Sequence, residues 1–287
     1  MQKLIFTNDR GRSIVLKNSG PFLLQKFDPS PPKSTILTSK APGQDGKSYH
    51  GALLEERTLN IEVAILGDNS EDMFRKRQEL YSIFNPKLQG VLTYTNGAGE
   101  HEIQCIVQDG PTPKARFEPV QEFLIQLYCP NPFWTNIIEA KEEIALWVGD
   151  FEFALELTDE GIEMGHRESN LIVNINNKGD VECGMRIEFT ALATLVNPSI
   201  LNIYTKEYIK IKRTLVAGDK LVINTDFGNK KVEMVRNGVA TNVFNYIDLQ
   251  TTFLQLDVGD NLLKYDAEQG IDNLEVVIYY KPLYVGV

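Results

Sequence analysis

Apolar and polar residues alternate along most of this chain, the pattern of strands with one buried face. Leu59, Ile61, Val63 and Ile65 take every second position and predict a half-buried strand. The segment Phe117–Cys129 predicts the longest strand, with Phe123, Ile125 and Leu127 on one face and Leu124, Gln126 and Tyr128 on the other. Pro111 and Pro113 cannot donate to a ladder and predict a stiff corner before it, and Pro130 and Pro132 end it. Residues 3–6 and 13–16 read as a hairpin across Asn8-Asp9-Arg10-Gly11, followed by a strand over Phe22–Phe27. Val91–Thr95 and Glu102–Val107 read as a second hairpin across Asn96-Gly97-Ala98-Gly99. The period changes to a helical one after Asp68-Asn69-Ser70-Glu71-Asp72, which supplies cap residues and negative charge at the positive end of a helix. Met73, Phe74, Leu80, Tyr81 and Phe84 then share a helical face, and Asn85-Pro86 stops the helix. Residues 28–48, written DPSPPKS and then KAPGQDGKS, predict an extended loop that orders only against a partner.

Beyond residue 138 the pattern is nearly all strand. Candidate runs are Ile144–Val148, Phe151–Leu157, Leu171–Asn176, Met185–Ala191, Ile209–Arg213, Lys220–Asn224, Lys231–Arg236, Phe253–Leu256 and Leu274–Tyr280. Between them stand turns such as Lys178-Gly179-Asp180, Gly218-Asp219, Gly228-Asn229, Asn237-Gly238 and Gly259-Asp260. Short strands at even spacing with such turns predict an antiparallel sandwich.

Charge and proline divide the chain at the same place. Residues 1–138 carry 15 basic and 15 acidic side chains, whereas residues 139–287 carry 14 and 24, which is the whole net charge of −10. Eleven of the thirteen prolines fall at or before Pro132. Two domains, 1–138 and 139–287, are expected on these grounds. An acidic chain without a basic run does not advertise nucleic-acid binding, since affinity for phosphate backbones rests on clustered Lys and Arg. The densest basic cluster, Arg75-Lys76-Arg77, lies in the predicted helix and reads as a solvated face. No apolar run approaches the ~20 residues needed to cross a bilayer, and the first residues turn polar too soon for a signal peptide. Synthesis in a cytoplasm follows, with export only as part of a larger particle. Cys105, Cys129 and Cys183, odd in number and far apart in sequence, read as buried free thiols.

Motifs that could carry chemistry are weak. Residues 41–48, Ala-Pro-Gly-Gln-Asp-Gly-Lys-Ser, end like a phosphate-binding loop, but Ala41 stands where the first glycine belongs and Pro42 removes an amide. Such a loop also needs a buried strand before it and a helix after it, and Gly51 interrupts any helix here. His50, His101 and His166 lack the paired spacing of a zinc site, and no nucleophile elbow or zinc-protease helix is present. Carboxylates in the second half read as a solvated face rather than a glycosidase pair. No catalytic, cofactor-binding or metal-binding residue is assigned, and no enzymatic activity is expected. The rival to a purely structural role is sugar binding, for which Trp147, Tyr204, Tyr208, Tyr246 and Tyr265 are the stacking candidates.

Several pieces in fixed order resemble the distal tail protein of long-tailed phages with non-contractile tails. They are the N-terminal hairpin, the loop Asp45-Gly46-Lys47-Ser48-Tyr49-His50-Gly51, and the strand Arg57–Leu66 with its helix. Phe84-Asn85-Pro86-Lys87, Asp109-Gly110 and Asn131-Pro132-Phe133-Trp134 follow. Asn177-Lys178-Gly179-Asp180, Asn197-Pro198, Gly218-Asp219, Asn237-Gly238 and Tyr279-Tyr280 continue the series through the second half. The resemblance implies a mainly β protein: an N-terminal, ring-forming β-rich domain with one helix, then a C-terminal galectin-like antiparallel β-sandwich. It implies a hexameric ring at the distal end of the tail, in the virion, joining the tail tube to a tail-associated hub or lysin protein around a channel for DNA. A receptor-binding protein is a further implied partner, and the family is non-enzymatic, with no cofactor and no membrane insertion. A free-standing carbohydrate-binding module recognising cell-wall sugars is the alternative. Trp134 is expected to be buried where the two domains join.

Overall fold

The computed structural model describes residues 2–117, 120–145, 147–148, 166–167 and 172–287, and the chain divides into two compact units. The first unit comprises Met1–Ile137 and the last four residues, Tyr284–Val287. Its strands are β1 (Lys3–Asn8), β2 (Ser13–Lys17), β3 (Phe22–Phe27), β4 (Ser34–Ser39), β5 (Ser48–Leu54) and β6 (Arg57–Leu66). Helix α1 (Ser70–Ile83) follows, then β7 (Gln89–Thr95), β8 (Glu100–Phe117), β9 (Val120–Cys129) and β10 (Trp134–Asn136).

The main sheet of this unit runs β10-β8-β7-β1-β2-β3-β6-β9 and closes on itself because β9 also pairs with β8. It is therefore a barrel, antiparallel except between β2 and β3. Closure removes free edges and lets every second side chain turn inward. The inward set is the alternating one: Leu4 and Phe6, Leu59, Ile61, Val63 and Ile65, and Phe123, Ile125 and Leu127. Gly90 of β7 is required by that packing. A Cβ there would stand 2.6 Å from the Phe6 ring, which stacks on Phe84 at 4.4 Å.

Helix α1 covers the barrel with Met73, Leu80 and Ile83, and Phe84 at its C-cap is buried as well. Its N-cap is Asn69, whose side chain accepts from the Asp72 amide at 2.9 Å. Phe74 and Tyr81, expected on the buried face, remain partly exposed. Tyr81 makes an edge-on contact with Phe123, and Phe74 lies under the Arg77 guanidinium. The corner expected at Pro111 and Pro113 is not a corner. Both prolines sit inside β8, an 18-residue strand, whose register against β9 shifts at three places around them. The missing amides are accommodated as irregularities in one bent strand. Trp134 is fully buried, and its ring lies in the barrel's own core, 6.1 Å from that of Tyr94.

The largest departure concerns residues 28–48. Instead of a loop, β4 and β5 form an isolated two-stranded antiparallel sheet. Ser34-Thr35-Ile36-Leu37-Thr38 is β-branched and apolar enough to pair, a signal masked by the flanking Pro and Gly clusters.

The second unit, Ile138–Leu283, contains β11 (Ala140–Ala145), β12 (Trp147–Val148), β13 (His166–Arg167), β14 (Ile172–Asn177), β15 (Met185–Ala191), β16 (Leu195–Asn202) and β17 (Tyr208–Lys210). Then come β18 (Thr214–Leu215), β19 (Lys220–Asn224), β20 (Lys231–Arg236), β21 (Val239–Asn242), β22 (Gly259–Gln269) and β23 (Leu274–Tyr280); β24 (Leu283–Tyr284) leads back into the first unit. One sheet runs β11-β23-β15-β19-β20-β21, the other β14-β22-β16-β17 with β18 beside β16. Their inner faces share one core, in which Ile187, Phe189, Leu221 and Ile278 meet Ile175, Ile200, Leu263 and Tyr265. This is the expected antiparallel sandwich.

Six strands beyond residue 138, β13, β16, β18, β21, β22 and β24, fall outside the candidate runs. β16 contains Asn197-Pro198, with Asn197 at φ +52°, and reads as a turn. β21 has no buried residue, and β22 begins at Gly259-Asp260, which mimics a turn. Conversely Phe253–Leu256 is not a strand; only Leu256 bridges, to Cys183. The run Phe151–Leu157 lies outside the described residues.

Candidate assembly surface

The feature of the first unit that its own fold does not account for is the β4–β5 arm. Its base is held by the Glu55 amide donating to the Lys33 carbonyl at 2.9 Å. Its tip, residues 40–47, turns on Gly43 and Gly46 at φ +76° and +77°. At the tip the Gln44 amide donates to the Ala41 carbonyl, and the Ala41 amide donates to Gln44 Oε1, both at 3.1 Å. This is the segment that resembled a phosphate loop. It connects two exposed strands, the element after it is β5 rather than a helix, and the Ala41 and Gln44 amides are engaged in the turn.

Register decides which arm residues share a face. Ser34 pairs with Leu54, Ile36 with Ala52 and Thr38 with Tyr49, so one face carries Ile36, Tyr49, Ala52 and Leu54. The other carries Leu37 and Leu53. Neither face is covered: Ile36 is 61% exposed, Tyr49 67% and Leu53 60%. Neither strand contains Lys, Arg, Asp or Glu. An isolated hairpin is marginal in water. One that presents apolar residues on both faces is stabilised when another surface covers it.

The sandwich offers a different surface. Of the five sugar-stacking candidates, Tyr265 is core, Tyr204 is exposed, and the Trp147 side chain lies outside the described residues. Tyr208 donates its hydroxyl to Gln250 Oε1, and Tyr246 lies under the Arg213 guanidinium, so the sequence-level set is not one platform. The aromatic cluster that does form was missed. Phe244 stacks on Phe253 at 5.8 Å, and the Lys230 ammonium lies 5.1 Å from the Phe227 ring and 5.2 Å from Phe253.

Among the described residues no group of three or more His, Cys, Asp or Glu is placed to hold a metal. His50 meets Ser39 Oγ at 2.6 Å on the arm, and burial lowers the pKa of His101, whose ring packs edge-on against Tyr284. The His166 side chain lies outside the described residues. All three cysteines are buried free thiols, as expected. Burial beside Asp226 and Glu182 pushes Cys183 up to about 12.

Residues 9–129 match the family model of the phage tail protein RIFT-related domain, and residues 178–284 match the siphovirus-type tail component C-terminal domain. The chain belongs to the siphophage distal tail protein family. The Dit protein of phage SPP1, described as a paradigm of the hub adsorption apparatus in phages infecting Gram-positive hosts, has a similar structure. The TM-score is 0.70 at 13% identity, over 98% of each chain. A chain of the phage p2 baseplate in its calcium-activated conformation is similar at TM-score 0.58 and 14% identity, over 100% of this chain and 99% of that one. Its strontium counterpart gives 0.59 at 14%, over the whole of both chains. Comparison with curated proteins gives no match. The protein is thus a virion structural component of the distal tail and baseplate, and no helix among the described residues is long and apolar enough to cross a membrane.

Proposed function

We propose that residues 1–138 assemble into a hexameric ring at the distal end of the tail, joining the tail tube to the tail-tip hub or lysin protein and leaving a channel for DNA. The observation that carries this reading is the arm, whose two strands lack charged residues and present apolar residues on both faces, which a neighbouring subunit would cover. Net neutrality over 1–138 supports it, because copies of that half do not repel one another. Residues 139–287 form the outward domain, on which a receptor-binding protein docks. Six copies of the chain carry about −60, a charge that DNA does not adhere to. The role is structural and non-enzymatic. A carbohydrate-binding module is not favoured, since of its candidate aromatics Tyr265 is in the core and Tyr246 lies under Arg213.

The test is light scattering with negative-stain imaging of the full-length protein, alone and mixed with its tail-tube and hub partners. Closed rings are expected, at high concentration or with a partner present. A monomer under every one of these conditions would sink the proposal.

A further inference from the structure

The barrel closes where β8 meets β9, and two cysteines face each other at that seam. In this ladder Val107 lies opposite Leu127 and Ile106 opposite Tyr128. One step further, Cys105 comes opposite Cys129. Both side chains turn inward, with Cys105 2% exposed and Cys129 fully buried, and the proximity of Cys129 together with burial pushes the Cys105 thiol pKa up. The same row extends to both sides, with Arg57 opposite Cys129 on β6 and Gly90 opposite Cys105 on β7. Facing residues on antiparallel strands have Cα atoms about 4.5–5.5 Å apart, inside the range of about 4.4–6.8 Å that a disulfide spans. Cys183 belongs to the second unit and takes no part in this row.

A cavity of about 520 Å³ adjoins the pair, lined by Cys105 together with Thr7, Gly90, Ile106 and Pro130 among others. Arg57 adds a second element. Its guanidinium is buried, its Nη2 donates to the Val285 carbonyl, and its Nε and Nη1 have no hydrogen-bond partner among the described residues. The guanidinium stands in the same cross-strand row as Cys129.

We propose that Cys105 and Cys129 are a redox pair, dithiol in the reducing cytoplasm where the particle is built and a cross-strand disulfide once the virion is outside the cell. The oxidant is a low-molecular-weight disulfide. One cysteine, deprotonated, attacks a sulfur of that disulfide, forming a mixed disulfide and releasing one small thiolate. The second cysteine gives its proton to solvent and its sulfur displaces the second small thiolate. Two protein thiols are oxidised to one disulfide, one small disulfide is reduced to two small thiols, and the released protons end on those thiols. The bond links β8 to β9 across the pairing that closes the barrel, so the seam becomes covalent outside the cell.

The experiment takes the full-length protein, purified reduced, and equilibrates it under native conditions in oxidised glutathione with a small fraction of the reduced form. Expected are a fall from three free thiols to one and a non-reduced digest containing a peptide that joins Cys105 to Cys129. Cys183 stays alkylatable after denaturation. The thermal midpoint rises by about 5 °C or more, dithiothreitol reverses the rise, and Cys129→Ser lacks it. Retention of all three thiols, a single glutathione adduct with no cross-link, or a rise that persists in Cys129→Ser overturns the proposal. If the serine variant does not fold, the digest of the unaltered protein still decides. The outcome bears on the pair alone and leaves the ring proposal standing or falling separately.

Discussion

At the residue scale the buried polar groups distinguish the two units. Asp219, just before β19, is a buried carboxylate, and Arg236 holds it through Nε at 2.6 Å and Nη2 at 2.5 Å. The Val216 amide donates to it as well, at 3.0 Å. The hydrogen bonds from Arg236 lower the Asp219 pKa below its ordinary 3.8. A carboxylate depressed on folding contributes stability that is present above its unfolded pKa and lost as pH falls through the folded value. Acid unfolding of the sandwich is therefore expected to be shallower in Asp219→Asn than in the natural chain below about pH 4, with the variant less stable by about 1–3 kcal/mol at neutral pH. Denaturant titrations at pH 3 and pH 7 measure both, and an equal deficit at the two pH values would remove Asp219 from the account. Trp134 is the corresponding residue of the barrel. Fully buried, it fills volume that no neighbour can recover, so Trp134→Ala should cost about 3–5 kcal/mol. An unchanged denaturant midpoint would show that the ring is dispensable.

At the element scale the arm is where assembly and folding separate. Because β4 and β5 pair only with each other, replacing Ile36 and Leu53 by Ser should leave the thermal midpoint within about 2 °C while abolishing ring formation. Rings that persist with the doubly substituted arm would place the subunit contact elsewhere. The tip should bind no nucleotide, and a calorimetric titration with ATP and Mg²⁺ should be flat. Micromolar affinity would contradict the turn geometry described above. The arm also shows what was legible and what was not. Period-2 alternation identified β1, β2, β3, β6, β7 and β9 because each has one buried face that the sequence must supply with apolar residues. The arm has no buried face, so its apolar residues showed no alternation against polar ones and its length looked like loop. β21 escaped for the same reason. Pro111, Pro113 and Pro198 misled in the opposite direction: β8 absorbs its prolines with shifts of register against β9, and β16 carries Pro198 opposite Ala267 without one, neither of which composition reveals. The pairing of Cys105 with Cys129 was not legible, because it depends on the register of β8 against β9.

At the scale of the whole molecule the sequence-level boundary near residue 139 needs one amendment before it is used to cut the chain. Residues 284–287 belong to the first unit. The Val285 carbonyl accepts from the buried Arg57 guanidinium, and the Tyr284 ring packs edge-on against His101. A fragment ending at 138 loses this cover. Arg57 is then a buried cation without its acceptor, a situation that costs several kcal/mol unless the chain rearranges. Fragment 1–138 alone should therefore melt lower than the same fragment carrying a short linker and residues 284–287, and only the second is a fair test of ring formation. Residues 138–283 hold their own core and all of the net charge of −10. Close packing of such copies is opposed by repulsion that salt screens, with a Debye length of about 10 Å at 0.1 M. That fragment should be a monomer at low and at high salt, while the repaired N-terminal fragment assembles at high concentration or beside its tail partner. Light scattering on the two fragments at two ionic strengths makes the comparison. If 138–283 forms the hexamer and the repaired N-terminal fragment stays monomeric with partners present, the roles assigned to the two halves are reversed.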